Sequence, residues 1–237
     1  MESLRPNTQR AKNAITLIWI MLALEITSLI SGYFQYDLLE AAANGEEVSA
    51  VTATANDLRE QIIAIFYMLF LIISGVTFIQ WFRRAYFNLH QKVPYLSHTE
   101  GWAAGSWFVP IICLYRPYQI MNELYQETKE LLIAKGLRVN ADFKTNLLWL
   151  WWTLWILTSI IGQIVFRLSL KAESIVELTD FTVISMVDNI IRIPLTLITI
   201  KVIKDYSSIE PLLNEIKSDD QLSGSITSNS ESILTSI

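Results

Sequence analysis

The sequence predicts an all-α integral membrane bundle of four transmembrane helices. Of the 237 residues, 52% are hydrophobic and only 17% are charged, which leaves few charged side chains to cover a soluble globule. The apolar residues are collected into four long blocks separated by charged segments, rather than spread at helical or strand periods. Blocks of this length are typical of membrane spans.

The four predicted spans cover about residues 14–33, 62–82, 146–166 and 181–200. Each is close to the ~20 residues that cross a hydrocarbon core of ~30 Å. The first block follows three basic residues, as in a secretory signal, but it is long for a signal and no clear small-x-small cleavage site follows closely. We therefore predict a retained first span and a membrane domain over residues 1–204.

Lysine and arginine predict the orientation of the spans. The N-terminal segment carries three of them, the segment between spans two and three carries eight, and the part after span four carries three. The two remaining loops, the first of which is acidic, carry three between them, so the count is fourteen against three. Because cytoplasmic loops are enriched in Lys and Arg, we predict that both termini and the long middle loop are cytoplasmic.

Two segments outside the spans have their own character. The residues from Pro117 to the position before Gly136 begin at a proline and stop at a glycine, which predicts a cytoplasmic amphipathic helix. Residues 205–237 include a stretch rich in Ser and short of aromatic residues, which predicts a disordered cytoplasmic tail.

Residues 101–119 read GWAAGSWFVPIICLYRPYQ, an apolar stretch with two prolines. Its 13 apolar or small residues from Trp102 to Leu114 would give a helix of only about 20 Å, too short for a ~30 Å core. Pro110 and Pro117 also disfavour one straight helix. We therefore predict a broken half-membrane or interfacial segment that returns at Arg116.

The small residues Gly101, Ala104 and Gly105 are expected to pack this segment against the spans, with Trp102 and Trp107 at headgroup level. Two roles stay open: a plain interfacial anchor, or the roof of a ligand pocket. Four further tryptophans crowd the start of span three and predict an interfacial aromatic belt rather than a binding site. They are Trp149, Trp151, Trp152 and Trp155.

Three ionisable residues fall near the middle of predicted spans, where a charge costs about 2.5–3.5 kcal/mol on insertion scales. Glu25, Asp188 and Arg192 lie about 16, 18 and 12 Å from the cytoplasmic ends of their spans. Asp188 and Arg192 are four residues apart and can form an ion pair within one helix. One interpretation is a structural clasp in which Asp188 and Glu25 neutralise Arg192; the other is a proton or ion relay, or a counter-charge for a polar substrate.

Several kinds of chemistry find no support in the sequence. Cys113 is the only cysteine, and His90 and His98 lack a zinc-ligand spacing, so we predict no metal site and no cofactor. The sequence contains no nucleophile elbow, phosphate loop or paired-carboxylate motif. A clustered basic face is also missing, so nucleic acid is not an expected partner. The expected partners are membrane lipids, with a protein partner or a second copy as further options.

Two stretches carry a resemblance to a known family. WFRRAYFNL at residues 81–89 and GWAAGSWFVPIICLYRPYQIMNELY at residues 101–125 resemble the bacterial membrane proteins grouped as domain of unknown function 4328. The resemblance implies an integral protein of a bacterial cytoplasmic (inner) membrane and leaves its activity open. The matching motif positions are Trp81, Arg84, Ala85, Tyr86, Asn88, Leu89, Gly101, Trp102, Gly105, Trp107, Phe108, Pro110, Pro117, Tyr118, Gln119, Met121 and Glu123.

Three functions are weighed against these features. A non-catalytic scaffold, sensor or regulatory subunit that works through its cytoplasmic parts is favoured. A small oligomeric transporter or channel subunit would use the charges near the middle of the membrane. A lipid-modifying membrane enzyme built on the motif residues comes last, because the sequence shows no recognisable catalytic set.

Overall fold

The computed structural model describes residues 4–137 and 145–216, and this part of the chain is helical without strands. Four helices are long and apolar enough to cross a membrane, so the predicted all-α architecture with four candidate spans is confirmed. The α-helices are α1 (Thr8–Ala43), α2 (Ala50–His90), α3 (Trp102–Gly105), α4 (Arg116–Ala134), α5 (Asn146–Ser169) and α6 (Ile175–Ile209), with 3-10 turns at Ile112–Leu114 and Glu210–Asn214.

The four long helices form a bundle with α1 and α6 as its inner pair. Helix α1 packs along both α2 and α6, and α5 packs along α6. Helices α2 and α5 are not close neighbours; they face one another across a cavity that all four long helices line. This arrangement leaves the interior of the bundle open between α2 and α5.

The first two long helices extend well beyond the predicted spans. Between them only residues 44–49 lie outside a helix, although the sequence suggested a long acidic loop. Hydropathy detects only the part of a helix that matches the hydrocarbon core, whereas a helix continues into water wherever its backbone hydrogen bonds are kept. Arg59, in the extension of α2, links that extension to α1, since its Nε donates to Ser31 Oγ at 2.7 Å. Its Nη2 donates to Asn56 Oδ1 of α2 itself at 2.6 Å.

The predicted tail at residues 205–237 is wrong for its first part. Residues 205–209 continue α6, and the following 3-10 turn packs back on the bundle, with Tyr206, Ile209 and Leu213 all buried. Composition missed this because the apolar residues here are few and widely spaced, so they become a packed face only when the turn folds. Residues 217–237 lie outside the described part of the chain.

Helix α4 begins and ends where the sequence predicted. Pro117 lies in its first turn, where a missing N–H breaks no helical hydrogen bond. Gly136 has φ of 73°, and the Leu137 N–H donates to the Leu132 carbonyl at 2.9 Å, which closes the helix end. Its buried face comprises Pro117, Ile120, Met121, Leu124, Tyr125, Thr128 and Leu132.

Candidate functional site

Two of the predicted interior charges form an ion pair on α6. Arg192 Nε donates to Asp188 Oδ2 at 2.7 Å, four residues away on the same helix. One turn further along this face, the Thr196 hydroxyl contacts both oxygens of Glu25 on α1, at 3.0 and 2.9 Å. The spacing of four residues therefore places the carboxylate of Asp188, the guanidinium of Arg192 and the hydroxyl of Thr196 on one face of α6.

The contacts of Glu25 differ from those of the predicted clasp, in which it helps to neutralise Arg192. Among the described residues it has no ion pair within 4.0 Å, and its carboxylate accepts from Thr196 instead of from Arg192. Glu25 is only 3% exposed, so α1 and α6 are joined by an acid–hydroxyl contact beside a separate ion pair. The sequence could place both groups at similar depth, but the rotation of each helix about its axis decides which side chains meet.

A cavity of about 270 Å³ opens onto these groups from between the four long helices. Its polar wall includes Glu25, Tyr67, Arg192 and Thr196. Its other wall is largely apolar and aromatic. The aromatic side chains there are Phe78, Trp107, Trp151 and Trp155.

The segment at residues 101–119 contributes Trp107 to the lining of this cavity. It is broken as predicted, with α3 and a 3-10 turn separated by non-helical residues. The Trp107 ring stands edge-on to Phe78 and to Trp155, with ring centroids 5.6 Å apart in both pairs. Its indole N–H donates to the Ala103 carbonyl at 3.1 Å, which fixes the ring against α3. The segment therefore contributes a wall residue to the same cavity as Glu25 and Arg192.

Two of the three predicted small residues, Gly101 and Gly105, do not pack this segment against the spans. A methyl group added at Gly105 would meet nothing within 4 Å, and Gly101 is exposed. The contact is made by the fully buried Ala103 and Ser106. The prediction failed because a glycine favours close approach only on the face that turns toward a neighbour.

The sharpest bend of the segment lies at Ile111. Its φ of 66° and ψ of −47°, with the Ile112 N–H donating to the Pro110 carbonyl at 2.7 Å, define a γ-turn. A β-branched residue at positive φ is strained. Around this turn the apolar side chains of Phe108, Ile111 and Leu114 are exposed.

The tryptophans of α5 are not an outward-facing belt. Trp149 is 57% exposed, but Trp151 and Trp152 are buried. The Trp151 indole N–H donates to Thr199 Oγ1 at 3.0 Å, and that of Trp152 donates to the Leu114 carbonyl at 3.0 Å. Hydrophobicity could not distinguish them, since adjacent helical positions point in different directions.

One part of the family-like motif forms a hydrogen-bond network between α2, the following loop and α4. The Tyr86 hydroxyl donates to Glu123 Oε2 at 2.6 Å, and the Ser97 N–H donates to Glu123 Oε1 at 2.6 Å. Partial burial works to raise the pKa of Glu123, but the hydrogen bonds from Tyr86 and Ser97 outweigh it and hold the pKa below its ordinary value. The carboxylate is thus stabilised as an anion.

We expect this network to make stability acid-sensitive. Because the folded-state pKa of Glu123 is depressed, its contribution is present above the unfolded value of about 4.5 and is lost as the pH falls through the folded-state pKa. Tyr86→Phe removes one stabilising donor and should flatten this dependence. Melting temperatures between pH 7 and pH 3.5 provide the measurement. Tyr95→Phe, at a side chain 92% exposed, should retain the wild-type slope, and an unchanged slope in Tyr86→Phe would contradict the assignment.

A second part of the motif joins the segment before α1 to the end of α6 and the turn that follows it. The Asn88 amide donates to Glu210 Oε1 at 2.7 Å, and the Asn7 amide donates to both Glu210 oxygens, at 3.1 and 2.9 Å. Asn88 also exchanges two hydrogen bonds with the backbone of Arg5, at 3.0 and 2.9 Å. Nearby, the Trp81 indole N–H donates to Ser207 Oγ at 3.1 Å. These motif residues fasten the N-terminal segment and the end of α6 to α2.

The remaining motif residues have less uniform positions. The Arg116 guanidinium lies over the Trp102 ring at 5.5 Å, and its Nη1 is 3.2 Å from His98 Nδ1. Tyr118 stacks on Trp152, while Gln119 and Pro110 are exposed. Arg84 lies near the C-terminal end of α2 and is part-buried.

Within residues 4–137 and 145–216, no group of three or more His, Cys, Asp or Glu side chains is placed to hold a metal ion. His90 and His98 nevertheless come together, since His90 Nε2 is 2.9 Å from the His98 carbonyl oxygen. Both residues therefore belong to the hydrogen-bond network of the loop.

A second cavity, of about 360 Å³, lies on the other side of the charged groups, toward the α1–α2 loop. It shares Tyr67 and Arg192 with the first cavity. The Arg192 side chain passes close to Gly162 of α5, where an added Cβ would come within 2.9 Å of its Nη2. The hydroxyl of Tyr67 and Asp188 Oδ1 are buried without a hydrogen-bond partner in the described part of the chain.

Several site residues were missed by the sequence analysis. Thr196 could have been found from its spacing, since it continues the series Asp188 and Arg192 at intervals of four. Tyr67 and Glu210 had no such signal, because an isolated tyrosine in a span is ordinary and Glu210 lies in a segment of surface-like composition. Their roles depend on contacts between residues distant in sequence.

The fold and the charged interior cavity define a multi-pass helical membrane protein. The chain belongs to the family described as Domain of unknown function (DUF4328), whose match covers residues 44–208, more than half of its length. Asp188 and Arg192 fall inside the matched region, and Glu25 precedes it. Comparison with curated proteins and with solved structures finds no match.

Proposed function

We propose that this protein is a non-catalytic membrane sensor or regulatory subunit whose interior cavity binds a small, largely apolar molecule. The observation that carries the proposal is the position of Trp107. This residue of the family-like motif lies in the wall of the cavity that also exposes Glu25 and Arg192. A binding site of mostly apolar walls with a few polar groups is the usual form of a small-molecule pocket.

The motif provides a path from the cavity to the rest of the protein. Trp107 belongs to the segment that leads directly into α4, and α4 is joined to α2 through Tyr86 and Glu123. Occupancy that moves Trp107 would therefore bias the position of α4. A ligand shifts such an equilibrium only if it binds one arrangement better than the other.

The test uses a change that fills the cavity without touching its charges. Gly75 lines the cavity, and a Cβ at this position meets nothing within 4 Å. Neopentylbenzene, a small neutral aromatic hydrocarbon, should raise the melting temperature of the purified protein. Gly75→Leu should abolish this shift and Gly75→Ala should retain much of it. Equal shifts in wild type and Gly75→Leu would refute binding in this cavity.

A second candidate function is transport by a small, oligomeric channel or transporter. It is favoured by the two cavities that meet at Tyr67 and Arg192, one toward each end of the bundle. Reconstituted liposomes with a proton gradient would distinguish the candidates. Gradient-driven flux that Glu25→Gln abolishes supports transport, whereas ligand binding without any flux supports a sensor.

The sensor proposal includes a location in a bacterial cytoplasmic membrane with both termini in the cytoplasm. Cysteines placed at Glu46 and at Lys129 in a Cys113→Ser background should react with a membrane-impermeant maleimide from opposite sides. The reason is the fourteen-to-three distribution of Lys and Arg. Only Glu46→Cys should react in intact cells or spheroplasts. Reaction of both positions from outside would reverse this part of the proposal.

The proposal also places the turn after α3 among lipids, at half-membrane or interfacial depth. Cys113 is the only cysteine of the chain and lies in the 3-10 turn beside the exposed side chains of Phe108 and Ile111. A spin label at Cys113 should be more accessible to oxygen, which concentrates in lipid, than to a water-soluble nickel chelate. A label at Tyr95→Cys in a Cys113→Ser background should show the reverse. A water-like response at Cys113 would exclude lipid insertion.

A further inference from the structure

The charged cluster beside the cavity holds one more carboxylate than cation, since Glu25 and Asp188 accompany Arg192. Of the side chains that line the cavity, only Glu25 and Arg192 are ordinarily charged at neutral pH. Arg192 is already paired with Asp188 at 2.7 Å, and its Nη2 lies 3.4 Å from the Thr158 carbonyl. The cluster thus contains two carboxylates and one guanidinium, and the carboxylate that lines the cavity, Glu25, has no ion pair within 4.0 Å among the described residues.

An uncompensated carboxylate inside a membrane bundle is costly. A proton on Glu25 would remove the charge, and so would a bound cation. Glu25 accepts from a single hydroxyl, whereas a carboxylate has about four lone-pair sites. Acceptor capacity therefore remains for a ligand that donates to it or carries a positive charge.

The rest of the cavity suits an organic cation rather than a hydrated inorganic ion. Phe78, Trp107, Trp151 and Trp155 present aromatic rings, which attract ammonium groups through their π faces. Tyr67, whose hydroxyl is buried, lines the same space. At about 270 Å³ the cavity is just below the usual size for drug-like ligands, so the ligand must be small.

We infer that the cavity between α2 and α5 binds a small lipophilic ammonium ion, with its nitrogen at Glu25 and its apolar part among the aromatic side chains near Trp107. This inference rests on the proposed function and adds the charge of the ligand. The gap between α2 and α5 gives such an amphipathic cation a path from the lipid, because its apolar part partitions into the bilayer.

The test compares three probes of nearly the same shape on the full-length protein in detergent or nanodiscs. Benzyltrimethylammonium carries a positive charge, neopentylbenzene is its neutral carbon isostere, and phenylmethanesulfonate is a similar anion. Tryptophan fluorescence and thermal shift report binding. The ammonium should bind wild type at least about tenfold more tightly than the neutral probe, after correction for partitioning into the detergent or lipid, a difference of about 1.4 kcal/mol.

Glu25→Gln should reduce this preference to within about threefold, while the neutral probe still binds. Glu47→Gln, the same change at an exposed loop position, should leave it intact. Size-exclusion chromatography and circular dichroism verify that each variant folds, and the wild-type comparison needs no variant at all.

Three outcomes would overturn the inference: equal binding of the ammonium and the neutral probe, tighter binding of the sulfonate, or a preference that survives Glu25→Gln. In the first, the cavity still binds a small molecule and the proposed function stands. If none of the probes binds and Gly75→Leu behaves like wild type, the proposed function fails together with the inference.

Discussion

Replacing Arg192 by leucine is expected to lower the free energy of unfolding by about 3 kcal/mol or more. The change leaves Asp188 buried without the guanidinium that now lies 2.7 Å from its carboxylate. It also removes the only positive side chain that lines the cavity at Glu25. The loss should appear in thermal or denaturant unfolding of the detergent-purified protein.

A second substitution should reverse much of this loss. Arg192→Leu combined with Asp188→Leu replaces the whole ion pair by apolar groups, a change that is often neutral or stabilising. Arg192→Leu combined with Glu25→Gln should recover less, because Glu25 is held by Thr196 and is not directly paired with Arg192. If neither double variant is more stable than the single one, the charges do not compensate one another in the folded state.

Trp81→Ala is expected to cost about 3–5 kcal/mol of stability. Trp81 is fully buried, its indole N–H donates to Ser207, and its carbonyl accepts from the Asn7 amide. Its ring also packs on Phe78 and Tyr206. Truncation therefore opens a cavity at the point where α2 meets the start of α1 and the end of α6.

Two control variants separate the reasons for this effect. Trp149→Ala makes the same change at a side chain that is 57% exposed, so its effect should stay within about 0.5 kcal/mol. Trp81→Phe retains an aromatic ring and loses the hydrogen bond to Ser207, so it should cost about 1 kcal/mol from that bond. Similar losses in Trp81→Ala and Trp149→Ala would show that general hydrophobicity, and not packing at this position, is what matters.

The family-like motif contributes both to the stability of the bundle and to the cavity. Trp81 and Asn88 hold Ser207 and Glu210 against α2, whereas Trp107 forms part of the cavity wall. A variant at Trp81 is expected to lose stability, and a variant at Trp107 is expected to alter ligand binding first. Measurements of stability and of probe binding on the same variants would therefore separate the two roles.

Local features of the sequence were sufficient to predict the helical class, the number of candidate spans and the break in residues 101–119. These features follow from local properties: the length of apolar blocks, the missing N–H of Pro110 and the glycine that ends α4. The ion pair between Asp188 and Arg192 was also accessible, because four residues always bring side chains to one face of a helix.

Contacts between helices depend on the tertiary structure. This structure pairs Glu25 with Thr196 instead of Arg192, buries Trp151 and Trp152, and packs Ala103 rather than Gly105 against the bundle. It also brought Glu210 to Asn88 from a segment that composition marked as tail. The physical reason is common to all of these contacts: each depends on the rotation and relative position of helices far apart in sequence, which no local pattern of residues encodes.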